Sequence, residues 1–322
     1  MNETEPKTII VTGGSGFIGG TVCRLLVDAG HNVINIDRVK KDIPGVSQYP
    51  FDIDSHQVKG IIQLTKPDTI MHFAADHEVG RSVSEPGVFY WNNVGNTIAL
   101  LNHAVEAGVK NFIFSSSSSV YGNTDVLPTT ETEPTNPVST YAKTKVMVEQ
   151  MLDDYKNAYG LNYVSLRYFN AAGAVPDLSH GYTQSPPSHL IPIIAKSITK
   201  DKELFVFGDD YSTVDGTAVR DYTHVSDIAS AHIAAMNYLD AGRDSDVFNI
   251  GAGVGHSILE VINVFKKVAQ VDVPYTLKGR REGDVEATCA DTTKAQEVLG
   301  WHPSYSIEDI VAHAYEWEKK QK

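Results

Sequence analysis

The sequence predicts an α/β fold: a doubly wound parallel sheet covered by helices on both faces, joined to a smaller mixed α/β C-terminal domain. Three observations predict it. Strand-like and helix-like stretches alternate through the first half, the pattern of a parallel sheet with crossover helices. A glycine run, Thr12-Gly-Gly-Ser-Gly-Phe-Ile-Gly19, lies between the β-branched strand signal of Thr8, Ile9 and Ile10 and the helical spacing of Val22, Leu25, Leu26 and Ala29. Past Asn170 the texture changes to a Gly-, Pro- and Ser-rich segment, 171–187, with no clear period.

The glycine run organises the first domain. Gly13, Gly16 and Gly19 follow a Gly-x-x-Gly-x-x-Gly spacing. Glycine permits the tight turn and lets the backbone approach a pyrophosphate at a helix N-terminus, where N–H groups and the dipole favour an anion. A strand before and a helix after mark this as a Rossmann-like dinucleotide site. The next strand, His31-Asn-Val-Ile-Asn-Ile-Asp37, ends in an acid about twenty residues past the loop. A carboxylate there accepts hydrogen bonds from an adenosine ribose and repels a 2′-phosphate, which favours NAD over NADP. Arg38 follows directly and is suited to pairing with a phosphate.

Further strands are expected at 69–75, 111–115 and 163–169, with helices at 93–107 and 143–159 between them. Five consecutive serines, Ser115 to Ser119, have the composition of a linker, yet they follow a strand directly. The end of a strand in an open α/β sheet is where ligands bind. In the second half, helical spacing covers 188–200, 224–239 and 258–269, a strand covers 203–207, and 209–216 reads as a loop. The expected division is a NAD-binding domain over 1–172, with 221–250 packing back onto it, and a substrate domain over 173–322.

Composition narrows the function. The chain has 322 residues, 42% hydrophobic and 21% charged, ordinary values for a soluble globular protein with ample core. A net charge of −13 argues against a general nucleic-acid binder. Cys23 and Cys289 are too few for a disulfide framework or a thiolate metal site, and the twelve histidines show no zinc-hydrolase spacing, so no metal is expected. The first six residues are polar and acidic rather than a leader, and no apolar run approaches the length of a membrane span. The expected location is the cytoplasm.

Tyr141-Ala-Lys-Thr-Lys145 places a phenol and an ammonium four residues apart on one helical face. A nearby lysine favours phenolate, so Tyr141 is the candidate general base. With the glycine loop and the serine run, these residues identify a family. The chain resembles the extended short-chain dehydrogenase/reductases, and within them the nucleotide-sugar epimerases, from about Lys7 to Trp317. The general family stretches are the glycine run, His72-Phe-Ala-Ala75, Asn111-Phe-Ile-Phe-Ser-Ser-Ser117, Val120-Tyr-Gly122, the Tyr141/Lys145 segment and Leu166-Arg-Tyr-Phe-Asn-Ala-Ala-Gly173. More specific to the epimerases are Asp215-Gly-Thr-Ala-Val-Arg-Asp-Tyr-Thr-His-Val225, Asn249-Ile-Gly-Ala-Gly-Val-Gly255 and Arg280-Arg-Glu-Gly-Asp284.

The resemblance implies roles residue by residue. Ser117, Tyr141 and Lys145 match the catalytic serine, the base and the lysine that tunes it. Phe17 and Ile18 match positions over the pyrophosphate, Asp37 the ribose contact, and Asp52 with Ile53 the adenine pocket. Phe73, Ala74, Ala75, Asn92, Ser115, Tyr168 and Phe169 line the cofactor. Asn170, His189 and Leu190 match substrate contacts, Phe205, Val206 and Phe207 the uracil-binding stretch, and Arg220 with Arg281 a diphosphate clamp. Asp284 matches a nucleotide-ribose contact. Two guanidiniums suit a diphosphate because each binds it bidentately. The implied activity is inversion of a UDP-hexose at C4, between the glucose and galactose forms, through a 4-keto intermediate with tightly bound NAD, in a homodimer.

The sequence departs from the family pattern at His77, where a lysine is common, and at His189, where an asparagine is common. Thr288 matches a pocket-wall position that is smaller in enzymes accepting N-acetylated sugars, which extends the expected substrates to those. Competing readings keep the fold: a UDP-glucuronate 4-epimerase, a dehydratase, a decarboxylase, or a non-catalytic NAD-binding sensor or scaffold. Dehydratases place Thr-Asp-Glu before Val-Tyr-Gly, whereas here Ser117, Ser118 and Ser119 supply no carboxyl group. A sensor or scaffold has no need of the Tyr141/Lys145 pair.

Overall fold

The computed structural model of the chain describes residues 5–281 and 284–321. Its elements, in order, begin with β1 (Thr8–Thr12), α1 (Phe17–Asp28), β2 (Asn32–Ile36), β3 (Val46–Tyr49), α2 (His56–Thr65), β4 (Thr69–His72), α3 (Val79–Ser84) and α4 (Pro86–Phe89). A π-helical turn, Tyr90–Gly95, leads into α5 (Asn96–Ala107), β5 (Asn111–Ser117), a 3-10 turn (Ser118–Tyr121), α6 (Thr140–Tyr159) and β6 (Asn162–Tyr168). Then come β7 (Asn170–Ala172), α7 (Leu190–Lys200), β8 (Phe205–Phe207), β9 (Val219–His224), α8 (Val225–Asp240), β10 (Asp246–Ile250) and β11 (Gly255–Ser257). The last are α9 (Ile258–Ala269), β12 (Thr276–Lys278), β13 (Ala287–Thr288), a π-helical turn at Ala295–Leu299 and α10 (Ile307–Lys320).

Two compact units emerge. The first takes the described residues of Met1–Gly122, Pro134–Arg167 and Ala229–Phe248; the second takes Asn123–Glu133, Tyr168–Ile228 and the described residues of Asn249–Lys322.

In the first unit, a seven-stranded sheet runs in the order β10-β6-β5-β4-β1-β2-β3. β3, β2, β1, β4 and β5 pair in parallel. The strand order reverses at β1, which pairs with β2 on one side and β4 on the other, so a crevice opens at the C-terminal ends of β1 and β4. Strand interiors are mostly apolar because both faces are covered. Ile10, Ile34, Ile36, Ile70, Phe112 and Phe114 pack with Leu100, Leu101 and Ala104 of α5 and Val148 and Leu152 of α6. β3 and α2 had no counterpart in the sequence reading. β3 is four residues long and its burial never becomes complete, so the alternation that signals a strand is weak there.

The second unit is mixed, as expected. β9 pairs antiparallel with β11 and parallel with β13 and β7, and β8 pairs parallel with β12. α10 packs on α7 and α9 over a core of Ile191, Ile194, Val261, Phe265, Ile310 and Val311. Asp221 is fully buried at the middle of this unit. Its carboxylate accepts N–H bonds from Ala252 (2.7 Å), Gly253 (3.0 Å) and Ala290 (3.1 Å), tying two connecting segments to β9.

Candidate active site

The glycine loop leaves the C-terminal end of β1. Gly13 has φ +75°, and a Cβ there would sit 2.7 Å from the Ala74 nitrogen, so both conformation and space demand glycine. A Cβ on Gly19 would lie 2.4 Å from the Gly13 carbonyl oxygen, which is how closely α1 starts against the loop. Phe17 and Ile18 form the first turn of α1. Neither a side-chain cap nor an acidic residue occupies that N-terminus. A helix start behind a glycine turn, with no carboxylate in its first turn, fits a dinucleotide pyrophosphate.

The remaining residues expected to hold the cofactor lie at neighbouring strand ends. Asp37 follows β2, and its carboxylate accepts from the N–H groups of Ser15 (3.0 Å) and Val39 (2.8 Å), leaving lone pairs for ribose hydroxyls. Asp52 accepts from Ile53 N–H (3.0 Å) and the Asn96 amide (3.3 Å), and Arg38 reaches it at 4.0 Å. Phe73 and Ala74 follow β4 and donate N–H bonds to the Thr12 carbonyl and hydroxyl (3.0 and 3.4 Å), with Ala75 next in the chain. The π-helical turn carries Asn92, whose amide donates to the Asp76 carboxylate.

Ser115 and Ser117 end β5, and Tyr141 and Lys145 begin α6, capped by the Ser139 hydroxyl. The Ser117 oxygen accepts two hydrogen bonds, from Ser119 N–H (3.2 Å) and from the Ser119 hydroxyl (2.9 Å). Its own proton therefore has one direction left, and the Ser117 hydroxyl bonds the Tyr141 phenol. Burial pushes the phenol up to about 12, and Ser117 opposes that rise. Lys145 lies on the same helix as Tyr141, one turn on. Its ammonium donates to the Ser115 carbonyl (2.6 Å) and lies 4.8 Å from the Phe114 ring and 5.6 Å from the Tyr141 ring. Its hydrogen bond goes to backbone, and the phenol's pKa is set by burial and by Ser117. Burial instead brings Lys145 down to about 7, opposed by the Glu149 carboxylate one turn later.

Glu149 belongs to a buried cluster that the sequence did not reveal. Arg167 of β6 donates to both of its carboxylate oxygens (Nε 3.0 Å, Nη2 2.7 Å), and the Ser116 hydroxyl donates at 2.6 Å. The other Arg167 nitrogen, Nη1, donates to the Tyr121 hydroxyl at 2.9 Å. Burial would lower the Arg167 pKa, but Glu149 more than offsets this and holds it above the usual value. The only sequence signal was Arg167 inside the Leu166-Arg-Tyr-Phe-Asn motif.

The second unit gathers a separate set. Tyr168 ends β6, and Phe169 N–H donates to the Ile250 carbonyl (3.0 Å). The Asn170 amide donates to the Asp221 carbonyl (2.9 Å). His189 occupies the N-cap position of α7, ahead of Leu190, with its ring 5.9 Å from that of Tyr182. Phe205, Val206 and Phe207 form β8. Cations cover the aromatic rings here: Lys278 lies 4.9 Å from Phe205, Arg281 4.9 Å from Phe207 and Arg280 4.0 Å from Tyr211. Arg281 pairs with Asp284 (Nε 3.0 Å), and Arg220 lies within electrostatic reach of both. Burial lowers the Arg220 pKa, as suits a cation that gains from an anionic partner. Thr288 lies opposite Arg220 in the β13–β9 register. Lys278, Arg280 and Tyr211 were not expected in this cluster.

Comparison with known proteins agrees with the geometry. Residues 9–251 match the NAD dependent epimerase/dehydratase family. A UDP-glucose 4-epimerase of Lactobacillus helveticus is 43% identical over 319 residues, covering 97% of this chain and 97% of the relative. Among solved structures, a UDP-glucose-4-epimerase of Stenotrophomonas maltophila with bound NAD and formylated UDP-arabinopyranose superposes with TM-score 0.94 at 36% identity, covering 98% of each chain. One from Bifidobacterium longum in complex with NAD+ and UDP gives TM-score 0.91 at 37% identity, covering 97% of this chain and 98% of that one.

Proposed function

We infer that this chain, which belongs to the NAD dependent epimerase/dehydratase family, interconverts UDP-glucose and UDP-galactose by inverting the sugar at C4. The observation that carries the chemistry is the Ser117 hydroxyl, its acceptor sites filled by Ser119, hydrogen-bonded to the Tyr141 phenol. Bound NAD would supply the acceptor and donor of hydride at C4. Tyr141 would take the proton of the 4′-hydroxyl, directly or through Ser117, and return it when the opposite face is reduced. Ser117 would stabilise the phenolate by donating to it. Lys145 would hold a cofactor ribose hydroxyl, and its charge together with that of an oxidised nicotinamide would bring the phenol down from about 12.

Gly13, Gly16, Gly19, Phe17 and Ile18 would seat the pyrophosphate of NAD, and Asp37 its adenosine ribose. In the second unit, Phe205, Val206 and Phe207 would meet the uracil, Arg220 and Arg281 the diphosphate, and Asp284 the ribose. Asn170, His189 and Leu190 would contact the substrate. Thr288, beside Arg220, supports acceptance of N-acetylated UDP-hexoses as well.

We place the protein in the cytoplasm as a homodimer. No helix among the described residues is long and apolar enough to cross a membrane. The stretch from α3 to α6 carries several exposed apolar side chains, among them Trp91 (67%), Tyr159 (60%), Ile98 (41%) and Met147 (38%), which supports a self-complementary helical interface.

Separate incubations with UDP-galactose, UDP-N-acetylgalactosamine and UDP-galacturonate, followed by product NMR, test the reading. UDP-glucose should form from UDP-galactose without stoichiometric added NAD. Product from the uronate alone would move the assignment to a glucuronate epimerase, and no product from any would end the enzymatic reading.

A further inference from the structure

Asn35 is a polar residue in β2, only 1% exposed, with the apolar Val33, Ile34 and Ile36 as its buried neighbours on that strand. Its amide is fully engaged. Oδ1 accepts the Gly14 N–H at 2.8 Å. Nδ2 donates to the Ser15 hydroxyl at 3.1 Å and to the Gln48 side-chain oxygen at 2.8 Å, Gln48 being its register partner on β3. The loop rests directly on this group: a Cβ on Gly14 would lie 2.5 Å from Asn35 Oδ1. Ser15 extends the chain of bonds. Its hydroxyl donates to the Val39 carbonyl and its N–H to the Asp37 carboxylate (3.0 Å), whose second oxygen takes Val39 N–H (2.8 Å).

We propose that Asn35 is a positioning residue for the coenzyme: through Gly14 and Ser15 it fixes both the pyrophosphate loop and the carboxylate of Asp37. It thereby sets affinity for the dinucleotide and preference for one whose ribose 2′-hydroxyl is free. The proposal rests on the NAD reading above. The Gly14 N–H is committed to Asn35, so the α1 N-terminus would be left to meet the phosphate. With Asn35 removed, the Gly14–Ser15 turn loses its support, and the Asp37 carboxylate loses the fixed segment that holds it. A loosened carboxylate gives up its hydrogen bond to a 2′-hydroxyl and its repulsion of a 2′-phosphate together, so NAD suffers more than NADP.

The test uses the full chain as purified, incubated with excess NAD or NADP and desalted, with retained nucleotide released by acid and quantified. Variants are Asn35→Ala, Asn35→Asp and Ser15→Ala, with the Asn35→Ala/Ser15→Ala double variant. Asn35→Asp keeps the shape and the acceptor for Gly14 but loses the donor to Ser15, so the test stands if the alanine variant fails to fold. NAD affinity should fall about tenfold in Asn35→Ala, the size of one or two lost hydrogen bonds. The NADP-to-NAD retention ratio should rise about threefold in the Asn35 variants, and Asn35→Ala and Ser15→Ala should combine less than additively. Unchanged retention, or an equal fall for both nucleotides, overturns the proposal, since mere loss of structure does not discriminate at the 2′ position. Wild-type protein that retains neither nucleotide overturns the NAD reading, and this proposal with it.

Discussion

Replacing Glu149 with alanine should destabilise the first unit severely. The side chain accepts three hydrogen bonds, two from the Arg167 guanidinium and one from Ser116, and it lies on α6 one turn past Lys145. Its removal leaves a buried guanidinium with the Tyr121 hydroxyl as its remaining side-chain partner in this cluster. Breaking a buried pair from one side costs about 3–5 kcal/mol, because an uncompensated charge remains. At roughly 2–4 °C per kcal/mol for a unit of this size, the melting temperature should fall by about 10 °C. Differential scanning calorimetry of the full chain measures it. A companion variant, Glu149→Leu with Arg167→Met, removes both charges and should recover most of that loss. Lys145 loses the carboxylate that opposes its burial, so its pKa should drop below about 7 in the single variant and the alkaline limb of activity should move to lower pH. A single variant that melts within about 1 kcal/mol of wild type, or a double variant no better than the single, would refute the reasoning.

Tyr141→Phe should reduce turnover about 10²–10⁴-fold yet retain nucleotide on purification, since only the proton-transfer group is lost; steady-state rates and acid-released nicotinamide check both halves. Arg281→Ala removes a guanidinium stacked 4.9 Å from Phe207 and should raise KM for UDP-galactose at least tenfold with a smaller effect on kcat. Asp221→Asn keeps an acceptor for Ala252 but turns a donor toward the N–H groups of Gly253 and Ala290, and should cost about 2 kcal/mol in thermal or urea unfolding. Burial raises Asp221 from 3.8 to about 6. The folded state therefore holds the proton more tightly than the unfolded one, and the stability this contributes is full below 3.8 and lost as pH rises through about 6. That slope should vanish in the asparagine variant, which melting temperatures across the interval will show.

The parts of the site legible in the sequence are those encoded over a few residues. The glycine spacing forces a turn whatever surrounds it, and Gly13 meets Ala74 where the turn requires. Tyr141 and Lys145 share a helical face because four residues nearly complete a turn. What Lys145 bonds to was not legible, because Ser115 is thirty positions away and the competition between a carbonyl and a phenol is decided by burial. Asn35 gave no signal for a similar reason. A polar residue in a strand shows only that β-propensity has been overridden, and its three partners come from a turn and a neighbouring strand. The serine run has a linker's composition, and only its place after a strand signal spoke against that reading. Ser115 to Ser117 continue β5, which lies between β4 and β6 in the sheet, so the sheet outweighs local preference there.

That short run also bears on timing within a catalytic cycle. With both lone-pair sites of Ser117 taken up by a residue two places on, the O–H bond vector is settled when the polypeptide folds. On the proposed mechanism, water would have to reorient around a nascent oxyanion at every turnover, whereas a hydroxyl held in this way would need no such reorientation. A segment that looks slack on paper thus behaves as frozen solvent.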